Sequence, residues 1–597
     1  MSQFNSIVIT KKGQALMAKM LAGTGNVKFT KIATSTTEYQ DSQLENLTSL
    51  SNIKQNQSIS KITRQNDVAV KIEAAIDNKN LETGYYIKTV GIYAQDPNDG
   101  EILYAVMTAN VAGWLPPYNG LGISSCMFNL TVTVGNSSNV SLTVSTGAVA
   151  TVNDIQNLQN QITTLQSYIG FSDEDIYGVE VDFTNKVFTR LAGAENLVAG
   201  EDFDDIAPWN RRRCNVTDDG KVVAYYGDSG YTETGKLTSA ITIESGKYAG
   251  TYAVGTKVQV MVEQPKFYYK VVPLKLEPIT TGYGFHMRKA RYYISSTPKE
   301  GFKLHPAFEV NGRELENIYL SAYEGSLYDD SANAYILNDE QVADFSNDLL
   351  SSIANAKPAS GLTQNLNRTN IRSLAHNRGD GWEISYASTV SATQLLFLIE
   401  YASFNMQSKL GNGVTTKTDD GSTSMTEITG ATTNLGNGSG SVTNSNEFNV
   451  VTYRGEENFF GNIWTWIDGM NVDRNSTSEP QVHDIYIANY NFADGSKNSS
   501  YEKVNFQACL TEGYTSAFGY DENFDWLFVP TEALGNSSVP VGDYYYRNAS
   551  YNGMLAALLG GGWHYGVTAG GFYLDLRNTA SGRTRALGGR LVYVPQN

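Results

Sequence analysis

Apolar and polar residues alternate in short runs along much of this chain, and a period of two commits such runs to half-buried β-strands. Phe128, Leu130, Val132 and Val134 alternate with polar neighbours, Gly135-Asn136-Ser137-Ser138-Asn139 reverses the direction, and Val140, Leu142 and Val144 alternate again. That spacing predicts a hairpin. Val68, Val70 and Ile72 predict another strand, and Gly91 to Met107 reads as strand, turn, strand around Pro97-Asn98-Asp99-Gly100. Near the end, Phe572, Leu574 and Leu576 alternate with Tyr573, Asp575 and Arg577. A strand with one buried face packs the first set inward and turns the second set out. The 37 Tyr, 55 Gly and only 14 Pro of the 597 residues suit a β-rich protein with many turns.

Helical spacing is rarer. Leu16, Met17, Met20 and Leu21 predict a short amphipathic helix after Thr10, and Lys19 interrupts what would otherwise resemble a signal peptide. Ile155, Leu158, Ile162, Leu165 and Ile169 step by 3 and 4, the seam of a coiled coil, and Gly170 ends it. A single surface helix fits the same short seam. Val342, Phe345, Leu349 and Ile353 predict a further amphipathic helix. Another opens on Ser391 and Gln394 as a capping box and continues through Leu395, Leu398, Ile399, Ala402 and Met406. Gly411 to Asn446 is a Gly/Ser/Thr/Asn tract and reads as a long surface loop. The expected organisation is a β-rich domain over 1–149, a short coiled coil over 150–170, a β-rich middle domain over 171–257 and a mixed α+β domain over 258–597.

Charge narrows the partners. Lys and Arg total 44 against 61 Asp and Glu, a formal net charge of −17. Such a balance disfavours nucleic acid and anionic membrane surfaces, which need clustered cations. No apolar run reaches the roughly 18 residues of a membrane span. Cys126, Cys214 and Cys509 are odd in number and far apart, so neither a disulfide framework nor a CxxC metal site is read from them. No cofactor or metal is expected.

The first 110 to 150 residues resemble the tail-collar fibre family of bacteriophage tail proteins, through ITKKGQALMAKMLAGTGNVKFTKIATS (Ile9 to Ser35) and KTVGIYAQDPNDGEILYAVM. The resemblance implies a trimeric domain at the base of a fibre that binds the tail or baseplate. The last 140 residues resemble the formylglycine-generating-enzyme branch of the C-type lectin fold, through GNIWTWIDG (Gly461 to Gly469), LLGGGWHYGVTAGGF (Leu558 to Phe572) and Arg583 to Val594. Enzymes of that branch use a pair of cysteines, and only Cys509 lies in 258–597, so that activity is not carried over. The EPN and WND calcium-site motifs of sugar-binding lectins are also missing. Retroelement-diversified target-binding proteins, with phage tropism determinants as the model, are the better fit. In them the variable residues occupy the final block.

Those implications, with the alternation above, place receptor contacts at Trp563, His564, Tyr565, Thr568, Tyr573, Asp575, Arg577, Asn578, Arg583 and Arg585, with Tyr545, Arg547 and Tyr551 beside them. Tyr, Trp and Arg offer large contact area at low entropic cost. Trimerisation falls to Ile155, Leu158, Ile162, Leu165 and Ile169. None of His286, His305, His376, His483 and His564 stands in a recognisable catalytic spacing, so no catalytic residue is expected. The expected protein is a homotrimeric tail fibre of a virion, attached by its N-terminus, with a lectin-like receptor-binding end and no membrane insertion. The alternatives are a polysaccharide depolymerase, which needs two paired carboxylates or an activated nucleophile, and a purely structural fibre or baseplate component.

Overall fold

The computed structural model describes residues 3–22, 27–118, 123–134, 140, 171, 174–337, 343–362, 365–475, 477, 481–495 and 497–596. The chain forms two compact units, Met1–Leu165 and Gln166–Asn597. Both are β-rich. The heptad residues Ile155, Leu158, Ile162, Leu165 and Ile169, and the second strand of the hairpin expected after Val134 except Val140, lie outside the described residues; Val140 is buried and bridges Val27 in parallel.

In the first unit, helix α1 (Lys11–Leu21) begins after Thr10 as expected, and the Thr10 side chain caps it by accepting the Gly13 N–H. Leu16 and Met20 are fully buried and Leu21 is exposed. A Cβ on Gly13 would lie 2.1 Å from the Tyr104 carbonyl oxygen, so the helix docks on the sheet only because glycine stands there. The sheet runs Gln3–Phe4, Gly100–Leu115, Tyr85–Asp96, Lys28–Ser35, Ile53–Ser58. The turn expected at Pro97-Asn98-Asp99-Gly100 joins its two longest strands. Asp96 Oδ1 accepts the N–H groups of Asn98 and Asp99, and Gly100 takes a φ of 77°. Val70 and Ile72 are buried while Val68 lies outside the Ala69–Asp77 strand. Phe128, Leu130 and Val132 also face inward, but Ser125–Thr133 pairs with Ala69–Asp77.

The second unit does not divide at residue 257. Ile176–Asp182 pairs with Phe285–Ser295, and Arg212–Thr217 with Val258–Pro265, in a sheet that continues through Asn317–Ser321 to Leu591–Tyr593 and Trp382–Ile384. The expected middle domain is therefore sewn by backbone hydrogen bonds into the C-terminal one. The expected helix at Val342, Phe345, Leu349 and Ile353 is absent from its described part. The Asp344 carboxylate accepts the Ser346 N–H and an Asn347 side-chain N–H, which closes a turn, and Leu349–Ser351 is a strand. Local Asp–backbone bonding outcompetes the helix there. Instead, helix α2 spans Arg368–His376.

Helix α3 (Ala387–Tyr401) starts before the expected capping box and is buried on every side as far as Glu400. Its polar residues are core anchors: Ser391 Oγ donates to the Trp526 carbonyl at 2.6 Å and Gln394 Nε2 to the Gly571 carbonyl at 2.8 Å. The 411–446 tract is irregular except for a short strand at Gly440–Thr443, yet it is not a surface loop. Val414 and Thr432 are fully buried, and the Glu457 carboxylate accepts the N–H groups of Gly430 and Thr432, each at 2.7 Å.

Candidate functional site

The site is carried by an eight-stranded sheet in the order Glu502–Gln507, Val482–Ile487, Trp464–Asn475, Gly553–Gly560, Gly570–Asn578, Tyr544–Arg547, Gly513–Tyr514, with Leu587–Gly588 beside Trp464–Asn475. The blocks at 461–469 and 558–572 thus supply neighbouring strands of one sheet and the loop between them, while the 583–594 block places Leu587–Gly588 beside them and sends Leu591–Tyr593 into the six-stranded sheet. The Gly570–Asn578 strand obeys the expected alternation on one face. Phe572 packs on Phe404 and Phe528 with ring centroids 4.9 and 5.3 Å apart.

Its other face is not open. Tyr573 and Asp575, expected to point to solvent, are fully buried. The parallel neighbour places Tyr546 opposite Asp575. Tyr546 and Tyr565 then lie over Tyr573, with centroids 5.8 and 6.0 Å away. Arg577 closes the edge. Its Nη2 donates to Asp575 Oδ2 at 2.6 Å, its Nε lies 3.0 Å from the same oxygen, and the guanidinium stacks 4.0 Å from the Tyr546 ring. Burial works against the Arg577 charge, and the Asp575 carboxylate more than restores it, so the group stays above its ordinary pKa. Trp563 and Tyr545 are buried as well, with the Tyr545 hydroxyl donating to the Cys509 carbonyl at 3.2 Å. Four expected contact residues, Trp563, Tyr573, Asp575 and Tyr545, therefore form the support under the surface.

The surface itself is an aromatic strip. Tyr514 meets Tyr544 at 5.1 Å, Tyr544 meets Tyr546 at 4.4 Å, Tyr546 meets Tyr565 at 6.0 Å, and Tyr565 meets Trp464 at 4.5 Å, all between ring centroids. Each of these five rings is partly exposed. Burial raises Tyr546 to about 12 and also raises Tyr565, so both stay protonated donors near neutral pH. His564 continues the strip, 4.8 Å from Tyr565 and exposed. Beyond it lies a charged end. Arg585 pairs with Asp419 and with Asp420 Oδ1 at 2.6 Å, and His564 Nε2 is 3.9 Å from Asp419. Burial holds His564 below its usual pKa against the opposing pull of Asp419, with Arg585 adding to the depression.

The remaining expected residues sit around this strip. Thr568 is half-buried and donates to the Tyr565 carbonyl at 2.6 Å; Arg583 is exposed and bonded to Asn365; Asn578, Arg547 and Tyr551 are half-buried. Trp464, Tyr514, Asp419 and Asp420 belong to the site without having been expected in it, whereas Tyr544 and Tyr546 come from the tyrosine run expected to add aromatic surface around Tyr545. The alternation around buried Tyr545 signals Tyr544 and Tyr546, since residues on either side of a buried strand position face the other way. Nothing local signals Asp419 and Asp420, which arrive from the irregular tract. Cys126, Cys214 and Cys509 are free thiols, and Cys214 shares the second unit with Cys509.

No curated protein matches this chain. Three solved structures resemble parts of it: the Major Tropism Determinant U1 variant (13% identity, 66% of this chain and 73% of that one, TM-score 0.21), the M1 variant (13%, 66% and 72%, 0.22) and the I1 variant (14%, 68% and 77%, 0.20). Likeness at this level leaves the fold to rest on the chain's own sheets. Residues 1–153 match the family described as phage tail-collar fibre protein, N-terminal.

Proposed function

We propose that the chain is a tail-fibre protein of a phage or phage-like particle, attached to the tail or baseplate by residues 1–153 and binding a bacterial surface receptor through its second unit. The observation that carries the receptor role is the strip Tyr514–Tyr544–Tyr546–Tyr565–Trp464, ending at His564 and Arg585. Partly exposed Tyr, Trp and Arg on a rigid support are what binding hot spots are made of. Here the support is fully buried Tyr573, Asp575, Tyr545 and Trp563, so the strip is preorganised and little ordering entropy is lost on binding.

The proposed mechanism is adhesion, with no bond made or broken. The same reading makes the fibre a homotrimer registered through the 150–170 heptads, so three weak contacts act together. It also makes the second unit lectin-like, supported by the first two sequence blocks standing in one sheet with Leu587–Gly588 of the third beside them. In this reading the block from Trp563 to Arg585 is the segment a retroelement rewrites, with changes confined to positions at or above the surface. The test is competition: purified full-length chain, added to host bacteria, blocks adsorption of the intact particle. It also releases no new reducing ends from host polysaccharide. Failure to compete, or reproducible release, overturns the reading.

A further inference from the structure

A cleft of about 510 Å³ lies between Lys186, the residues that follow helix α3 and the Ser537–Pro540 loop. Lys186 and Lys409 line it, and no Asp or Glu does, in a chain with 61 acidic and 44 basic residues. Neither lysine has an ion-pair partner among the described residues, whereas Lys289, Lys303 and Lys417 each hold a carboxylate. The side chains of Asn412, Ser537 and Ser538 add unengaged amide and hydroxyl groups to the lining. Val567, 59% exposed, supplies an apolar lip. That lip is fixed from beneath by Gln407, whose Nε2 donates to the carbonyls of Gly566 at 2.9 Å and Ala569 at 2.6 Å.

We propose that this cleft holds a segment of an acidic bacterial polysaccharide. Hydroxyls and amides match sugar hydroxyls in both donor and acceptor roles. The apolar lip suits the C–H face of a sugar ring. Two cations free of carboxylates match an anionic substituent, and the volume lies within the ordinary range of ligand sites. A polyanion is repelled by most of a surface with this net charge, so the cleft sets both place and orientation of binding. The inference rests on the receptor-binding reading of this unit, because Val567 and Tyr565 share one loop, and it names the chemical class of the ligand. The anion has two sources, a uronate carboxylate or a polymer phosphate.

Binding of full-length chain to polygalacturonate, to poly(glycerol phosphate) and to neutral dextran separates them. At least one polyanion is expected to bind and dextran is not, with affinity falling about tenfold between roughly 0.05 and 0.2 M salt. The variant Lys186→Glu/Lys409→Glu is expected to lose that binding by about tenfold or more at an unchanged melting temperature, since both side chains are exposed. Polymer binding equal to that of dextran, or binding intact in the double variant, overturns the proposal. Tyr565→Ala, read by whole-cell adsorption, judges the receptor surface separately from the cleft.

Discussion

Trp464 and Tyr565 meet edge to face with ring centroids 4.5 Å apart. Trp464 belongs to the 461–469 block and Tyr565 to the 558–572 block, so this one contact joins two strand neighbourhoods into a single surface. Tyr565 also reaches Tyr546, Tyr573 and His564. Replacing Tyr565 with Ala is expected to lower adsorption to cells by about tenfold or more, as loss of a hot spot does. The folded state loses about 0.5–1.5 kcal/mol for each of these aromatic contacts beyond area burial, so binding is compared at a temperature where melting shows the variant folded. Tyr565→Phe keeps the stacking and separates the ring from the hydroxyl. Cell binding and thermal melting of both variants check this.

Asp575 and Arg577 are a coupled pair, not two independent contact residues. Arg577→Ala strands a buried carboxylate and is expected to destabilise by about 1–3 kcal/mol, less than for a fully buried pair because the Arg577 side chain is 33% exposed. The double variant Asp575→Asn/Arg577→Ala is expected to be more stable than Arg577→Ala alone, because the stranded charge is gone. Urea unfolding of the two single variants and the double closes the cycle.

Gly570 and Gly571 are required for different reasons. A Cβ on Gly570 would stand 2.1 Å from Oδ1 of Asp543, a buried carboxylate whose Oδ2 accepts the Phe572 N–H at 2.7 Å. A Cβ on Gly571 would meet the Met406 sulfur, on a side chain that can swing aside. Gly570→Ala is therefore expected to cost about 3 kcal/mol or more and Gly571→Ala about 1–2 kcal/mol, measured by thermal melting and soluble yield.

Glu324 gives the fold a pH dependence. Burial raises its pKa from 4.5 to about 8, against Arg590 and the Asn458 and Asn462 amides, while Glu457 adds to the rise. Oε1 has no hydrogen-bond partner among the described residues. The folded state holds a proton that the unfolded chain releases, so this contribution is fully present below pH 4.5 and lost as pH rises through about 8. Melting temperature is expected to fall over that interval, and Glu324→Gln is expected to flatten the fall. Melts across the interval for both proteins test it.

The sequence showed strand-forming patterns well where one face alone is buried, as at Phe128, Leu130 and Val132, and showed helix α1 through the spacing of Leu16, Met17, Met20 and Leu21. It misled where both faces are covered. Tyr573 and Asp575 follow a period of two faithfully, but a parallel neighbour and a returning loop lie over them, and neither is visible in local spacing. Helix α3 reads as amphipathic because Ser391 and Gln394 are polar, although both are satisfied inside the core. The site was half legible: His564, Tyr565, Arg577 and Arg585 stand in the final block, whereas Asp419 and Asp420 reach it only through long-range packing.

The central claim is that the strip from Tyr514 to His564 is the face that meets the cell. The most direct test is equilibrium binding of full-length chain to host bacteria, wild type against Tyr546→Ala/Tyr565→Ala, with circular dichroism on both. A drop of about tenfold or more in binding at an unchanged spectrum is the predicted result. Wild-type binding by a correctly folded double variant would contradict the account.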